Sequence, residues 1–311
     1  MDKQFAIGID IGGSHITSVA VHLLKREFVE GSKARSEVNS QASALEILEK
    51  WSSTIARSMQ KVDVNQLAGI GFAMPGPFDY HEGIARFRGV KKYDQLNGIN
   101  VREVISTRLD LPENLPVRFM NDATSFAVGE AWMGEASGYD KVVALTLGTG
   151  FGSSFVEQGI PVESGEKVPP QGCLYHLPYG ETIADDHFST RWFIGQYLIR
   201  KGVEVKGVKE LAELYSQNLI VQDLFKTFGR NLGNFIAPWL RRFDAECLVI
   251  GGNITQSYHL FKDSFCQTLI SNDIQDLHCY ISSLGEDAAL CGSVRLADDA
   301  FYAALDISAL K

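Results

Sequence analysis

A chain of 311 residues, 45% hydrophobic and 22% charged, has ordinary globular composition and enough length for two domains. Its formal net charge of −9 argues against a general nucleic-acid binder, which needs cationic surface to displace counterions. No apolar run approaches the ~20 residues of a membrane-crossing helix, and five scattered cysteines (Cys173, Cys247, Cys266, Cys279 and Cys291) without a C-x-x-C pair argue against a disulfide framework or a compact zinc site.

The opening stretch "QFAIGIDIGGSHITSVAVHL" alternates apolar and polar residues on both sides of Gly12-Gly13, which predicts a β-hairpin. A strand this early, rather than a targeting segment, makes a cytoplasmic location the expectation. "ALEILEKWSSTIARSMQ" carries apolar residues at helical spacing, and "LAGIGFAMPG" reads as a strand ended by a Pro-Gly break. The basic clusters Val90-Lys91-Lys92 and Leu240-Arg241-Arg242 are brief and read as solvated surface or helix ends. After "LPVRFMND" a helix is expected over "ATSFAVGEAWMG", stopped near Gly134.

The pattern then restarts. "KVVALTLGTGFGSSFVEQG" predicts a second strand, glycine turn and strand, "NLGNFIAPWLRRF" an amphipathic helix and "CLVIGG" a buried strand. Two similar hairpins, each opening half of the chain, point to an internally duplicated α/β architecture.

Three glycine turns follow apolar strands: Asp10-Ile11-Gly12-Gly13-Ser14, Gly148-Thr149-Gly150-Phe151-Gly152 and Gly251-Gly252-Asn253. Glycine lets backbone N–H groups approach phosphate oxygens without a Cβ clash, so the first two could hold the phosphates of ATP and the third its nucleoside. Asp10 stands where a carboxylate could hold Mg²⁺ through water. Each turn is equally an ordinary hairpin or strand break taken alone. A P-loop is excluded because no G-x-x-x-x-G-K-[ST] occurs, and "GTGFG" lacks dinucleotide-fingerprint spacing.

Asn121-Asp122 has two readings. Both side chains are good helix caps where a strand hands over to a helix, and a carboxylate at that junction could also serve as a general base. Capping and catalysis are compatible in one residue.

In order, "IGIDIGGSHITSVAV", "GIGFAMPGPFDYHEGIARF", "FMNDATSFAVGEAWMG", "ALTLGTGFGSSFVEQG", "LVIGGNI" and "SSLGEDAALCGSVRLA" resemble the ROK sugar kinases over nearly the whole chain. The resemblance implies two duplicated actin-like, ribonuclease H-like α/β domains with ATP and sugar in the cleft between them. It implies a small domain of residues 1–121 with a returning helix at 295–311, and a large domain of residues 122–294. It further implies ATP and Mg²⁺ as cofactors, Asp122 as general base, Asn121 as a sugar ligand and a homodimer, with no nucleic-acid or membrane partner. The first strand begins too early to leave room for the helix-turn-helix of the family's repressors.

The departures lie in "VPPQGCLYHLPYGETIADDHFSTRW". The family places a sugar-binding Glu three residues before a His and a second Glu four residues before a Ser. Here Cys173 precedes His176 and Asp185 precedes Ser189, so Cys173, His176 and Asp185 are the candidate sugar ligands. Cys is a weak donor and weaker acceptor than Glu, which implies a sugar other than plain glucose unless Glu181 or Glu166 supplies the acid. The family's cysteine-rich zinc segment is missing, and His187 beside Asp185-Asp186 reads as a helix start. Ser14 and His15 replace the usual Thr-Lys; His15 is expected to point away from the nucleotide. A non-catalytic sugar or nucleotide sensor is the rival reading, and a polymerising actin-like protein a more distant one.

Overall fold

A computed structural model describes residues 3–90 and 92–306, so Lys91 of the first basic cluster lies outside the described residues. The chain begins with strands β1 (Phe5–Ile11), β2 (His15–His22), β3 (Glu27–Phe28) and β4 (Ala34–Glu37), then helix α1 (Ala44–Met59) and β5 (Leu67–Met74). There follow β6 (Phe78–Asp79), β7 (Ile84–Ala85), α2 (Val101–Arg108), β8 (Val117–Asn121) and α3 (Asp122–Met133). Next come β9 (Lys141–Leu147), β10 (Phe151–Glu157), β11 (Ile160–Pro161), β12 (Pro178–Tyr179), β13 (Thr182–Ile183), α4 (Ala184–His187) and α5 (Thr190–Lys201). The remainder is α6 (Val208–Leu214), α7 (Leu219–Phe243), β14 (Cys247–Gly251), α8 (Tyr258–Ser271), β15 (His278–Ile281), α9 (Asp287–Val294) and α10 (Asp299–Ala304).

These elements form two compact units, one running through Ser137 and resuming at Glu286, the other Gly138–Gly285. In the first, the sheet order is β3-β2-β1-β5-β8, with β4 also paired to β2. In the second it is β11-β10-β9-β14-β15. Each sheet is an antiparallel hairpin (β1–β2, β9–β10) extended by two parallel strands (β5 and β8, β14 and β15). The duplication read from the two glycine hairpins is therefore a duplication of sheet topology.

Local chemistry sets the covering helices. Ser43 caps α1 by accepting the Glu46 N–H at 3.3 Å, and Ile47, Leu48, Trp51 and Ile55 then recur at helical spacing as its buried face. In α7, Asn218 accepts the Ile220 and Val221 amides, so the helix starts twelve residues before the expected Asn231 and runs 25 residues with Pro238 inside it. Its buried face (Leu224, Phe228, Leu232, Ile236 and Leu240 among others) belongs to the core of the second unit.

The junction expected between Asn121 and Asp122 falls inside the first unit, because α3 stays there, packed on α9. The contact is backbone to backbone: a Cβ on Gly129 would meet the Ala288 carbonyl oxygen at 1.9 Å, and one on Gly292 the Ser125 carbonyl oxygen at 1.7 Å. On its other side α9 presses on the sheet, where a Cβ on Gly71 would lie 1.8 Å from the Ser293 oxygen and one on Gly8 would lie 2.5 Å from that of Leu290. Only side-chain-free positions allow this approach. Within the stretch 295–311 expected to hold the returning helix, a short 3₁₀ turn spans Arg295–Ala297 and Asp298 caps α10, while residues 307–311 lie outside the described residues; α9 ends just before it, at Val294.

Candidate active site

In the first unit the candidate residues gather at the C-terminal ends of the parallel strands. Asp10 is the penultimate residue of β1, in register with Ala73 of β5, and Met74 of β5 is in register with Asn121 of β8. Asp10 and Asp122 are thus two strands apart, on the order of 10 Å at the backbone. The helix cap is Asn121, whose Oδ1 accepts the Ala123 and Thr124 amides at 3.0 and 3.3 Å. Its Nδ2 donates to the Tyr80 hydroxyl at 3.2 Å, and Tyr80 in turn donates to the Met74 carbonyl at 3.1 Å. Capping therefore falls to Asn121, and Asp122 begins the helix with its carboxylate accepting the Ala123 amide at 2.8 Å.

The electrostatics of the two acids are linked. Burial, the neighbouring Asp122 and then Glu286 push the Asp10 carboxyl up to about 7, with Arg35 opposing. Burial also raises Asp122 above the ordinary carboxylate range; the Ala123 amide, its own backbone amide, Lys92 and Asn121 counteract it. Two partly desolvated carboxyls raised in this way form a site that a cation or a proton would relieve. The oxygen donors fit Mg²⁺, which is bound by one or two carboxylates together with water and phosphate oxygens rather than by an all-protein cage.

The first glycine turn is braced from one side and covered from the other. The Gly12 amide donates to the His15 carbonyl at 2.9 Å, and the Tyr93 hydroxyl donates to the Gly12 carbonyl at 2.6 Å. The His15 ring fills the space a Cβ on Gly12 would take, with Cε1 2.5 Å from that position. Burial, followed by Arg35, lowers its pKa, Glu286 opposing. Lys92, read in the sequence as solvated surface, has Nζ 3.0 Å from where a Gly13 Cβ would stand. Ser14 follows at the exposed tip. Tyr80, Lys92 and Tyr93 carried no local signal; Tyr93 reaches the turn from a left-handed backbone conformation (φ 58°) 81 residues away.

In the second unit Gly148-Thr149-Gly150 forms the turn between β9 and β10, and in Gly251-Gly252-Asn253 the first glycine ends β14, the strand beside β9. The structure brings these two segments together. Gly252 has φ +87°, and a Cβ there would lie 2.4 Å from the Leu147 carbonyl oxygen. Asn253 opens a short 3₁₀ turn.

Cys173, His176 and Asp185 also share one neighbourhood in this unit. The Asp185 amide donates to the Tyr175 carbonyl at 3.0 Å, while Cys173 Sγ lies 3.6 Å from His176 Nδ1. Burial and then Glu163 push the Cys173 thiol up to about 12, which keeps it protonated at neutral pH. Glu166 and Glu181 are both solvent-exposed. The buried carboxylate near Cys173 is Glu163, which the sequence reading did not single out: it is 9% exposed, and its Cα is 2.8 Å from the Cβ position of Gly172. Asp185 has both oxygens engaged. Oδ1 accepts the Phe151 amide at 2.7 Å, and Oδ2 pairs with Arg191. His187 lies in α4, its Nε2 3.0 Å from the Thr182 hydroxyl. Among the described residues no helix is long and apolar enough to cross a membrane.

The chain is 28% identical to an N-acetyl-D-glucosamine kinase of Haemophilus influenzae over 279 residues, covering 82% of this chain and 86% of that one. It is 23% identical to a glucokinase of Thermotoga maritima over 333 residues, covering 95% and 98%. Among solved structures, the fold matches a ROK hexokinase from Thermus thermophilus with TM-score 0.77 and 20% identity, covering 93% and 96%. It matches a ROK family glucokinase from Streptomyces griseus, in complex with glucose and AMPPNP, with TM-score 0.68 and 20% identity, covering 94% and 98%. A ROK family transcriptional regulator also matches, with TM-score 0.76 and 19% identity, covering 98% of this chain and 80% of that one. The ROK family model matches residues 6–300, and the chain belongs to the ROK family.

Proposed function

We propose that this chain is an ATP-dependent sugar kinase that transfers the γ-phosphoryl group to a hydroxyl of a hexose or hexose derivative, with Asp122 as general base. The observation that carries this reading is the carboxyl pair Asp10 and Asp122 beside the first glycine turn, in a chain whose curated relatives are named sugar kinases. As the sugar oxygen bonds to γ-phosphorus and the bond to the β-phosphate oxygen breaks, the hydroxyl proton passes to Asp122 and ADP leaves. A carboxylate raised above its ordinary pKa is a stronger proton acceptor, while Lys92 and the amides at the start of α3 favour the ionised form that the reaction needs. Bound Mg²⁺ would neutralise charge on the phosphates, and Asp10 would hold its hydration shell. Asn121, fixed by Tyr80 and by the helix start, orients a neighbouring sugar hydroxyl. Backbone amides at Gly12–Ser14 and Gly148–Gly150 receive phosphate oxygens, and Gly251-Gly252-Asn253 supports the nucleoside.

His176 with Cys173 forms the polar wall assigned to the sugar. A protonated thiol gives a hydroxyl little to bond to, so a derivative with a smaller hydrogen-bonding demand at that position is preferred to glucose. ADP release measured against hexoses, N-acetylhexosamines and polyols tests the reading, and sugar-dependent release is expected. A sensor without turnover is the second reading, favoured by Cys173 and by the likeness to a ROK transcriptional regulator. Sugar binding without ADP release from any member of the panel would establish it instead.

A further inference from the structure

Arg191, which no reading of the sequence singled out, lies against the second glycine turn. One guanidinium nitrogen pairs with Asp185 Oδ2, and another, Nη1, donates to the Thr149 carbonyl at 3.0 Å. The next carbonyl back, that of Gly148, accepts both the Thr190 amide at 2.8 Å and the Thr190 hydroxyl at 2.9 Å. Asp185 completes the frame by accepting the Phe151 amide at 2.7 Å. It is pressed so close that a Cβ on Gly150 would stand 3.1 Å from Oδ1.

These bonds fix the directions of two peptide planes. In a planar trans peptide the C=O and the following N–H point in opposite directions. Holding the Gly148 and Thr149 carbonyls on Thr190 and Arg191 therefore directs the Thr149 and Gly150 amides away from those donors. Two N–H groups in a glycine turn are what a phosphate oxygen requires. The same frame uses both oxygens of Asp185, the residue matched to a sugar-binding acid.

We infer that Arg191, acting with Asp185, is a positioning residue that sets the second glycine turn in its phosphate-receiving geometry. The inference rests on the kinase reading and deepens it by moving Asp185 from sugar recognition to nucleotide recognition. The ion pair is half exposed at Arg191 (52%), so it contributes little to global stability. Its effect belongs in nucleotide affinity.

The test separates the KM for ATP from the KM for sugar in Arg191→Gln, Arg191→Lys and Asp185→Asn, with melting temperature as the folding control. Arg191→Gln is expected to raise the ATP KM about tenfold, the scale of one hydrogen bond to a charged group, and to leave the sugar KM within about twofold. Arg191→Lys keeps the charge but lacks the fork that spans two acceptors, so it should show most of the same loss while folding as the wild type does. Asp185→Asn still accepts the Phe151 amide and should raise the ATP KM less than Arg191→Gln. Added ethylguanidinium should recover part of the ATP affinity of Arg191→Gly. A rise in the sugar KM alone, or no change in either, would overturn the inference. Should the wild type release no ADP with any sugar, the kinase reading fails. ATP binding by calorimetry still decides the role of Arg191, since equal affinities in wild type and Arg191→Lys would refute it.

Discussion

Replacing Gly292 by alanine should destabilise the first unit by about 2 kcal/mol or more, although alanine is the better helix former. Alone, the exchange favours an α-helix by roughly 0.5–1 kcal/mol. Against that stands the new Cβ, 1.7 Å from the Ser125 carbonyl oxygen, 2.6 Å from its carbon and 2.9 Å from the Gly129 nitrogen. Reaching an ordinary 3.4 Å contact requires about 1.7 Å of movement between α3 and α9. The opposite side offers no relief, because Gly71 and Gly8 already bring the sheet against the Ser293 and Leu290 carbonyls. Overpacking of a tight core costs about 1–3 kcal/mol, and backbone clashes on two sides place this one at the upper end. For a unit of this size a loss of about 2 kcal/mol corresponds to roughly 4–8 °C in melting temperature. Urea and thermal melts read the change, and kcat reports whether Asp122, at the start of the displaced α3, moves with it. Gly195→Ala is the control: it lies in α5 with no atom within 4 Å of its Cβ position, and should be neutral or slightly stabilising. A Gly292→Ala protein melting within 1 °C of wild type would refute the argument that these helices meet backbone to backbone.

Three further outcomes are expected. Asp122→Asn should lower kcat by about 10²–10⁴ while leaving ATP affinity unchanged in a binding titration; near-normal turnover would remove Asp122 as the base. Asp10 has a folded pKa of about 7 against an ordinary 3.8, so the native state holds its proton more tightly. The stability this group contributes is present below about pH 4 and lost as pH rises through about 7. Asp10→Asn, melted without metal or nucleotide, should therefore gain in melting temperature over wild type at pH 8 compared with pH 4; a difference that does not grow with pH would refute the linkage. Cys173→Glu should raise the share of glucose in a kcat/KM panel, and an unchanged sugar profile would take residue 173 out of the sugar site.

The hairpins, the strand Leu67–Met74 and the strand-to-helix junction at Asn121-Asp122 were legible because period-two alternation and glycine breaks are local signals. The division of labour at that junction was not, since Asn and Asp are equally good caps and only the Tyr80 hydroxyl, 41 residues away, distinguishes them. The packing of α3 was not legible for a similar reason. Helix α3 is buried from Thr124 through Glu130, so no polar face reveals its orientation, and its partner α9 lies far along the chain. Asp185 illustrates the limit most clearly. Spacing placed it near His176, but its bonds run to Phe151, 34 residues before it, and to Arg191.

The glycine-lined seat of α9 has a consequence for how the protein is made. Everything that receives this helix, from β1 to α3, is synthesised before the 148 residues of Gly138–Gly285. At 5–20 residues per second that is a delay of roughly 7–30 s. Throughout it, the nascent sheet exposes an apolar groove with no occupant, while the inserted segment needs no later element to complete its own strands. Aggregation and chaperone demand during synthesis should therefore concentrate on the half of the molecule that is begun first and completed last.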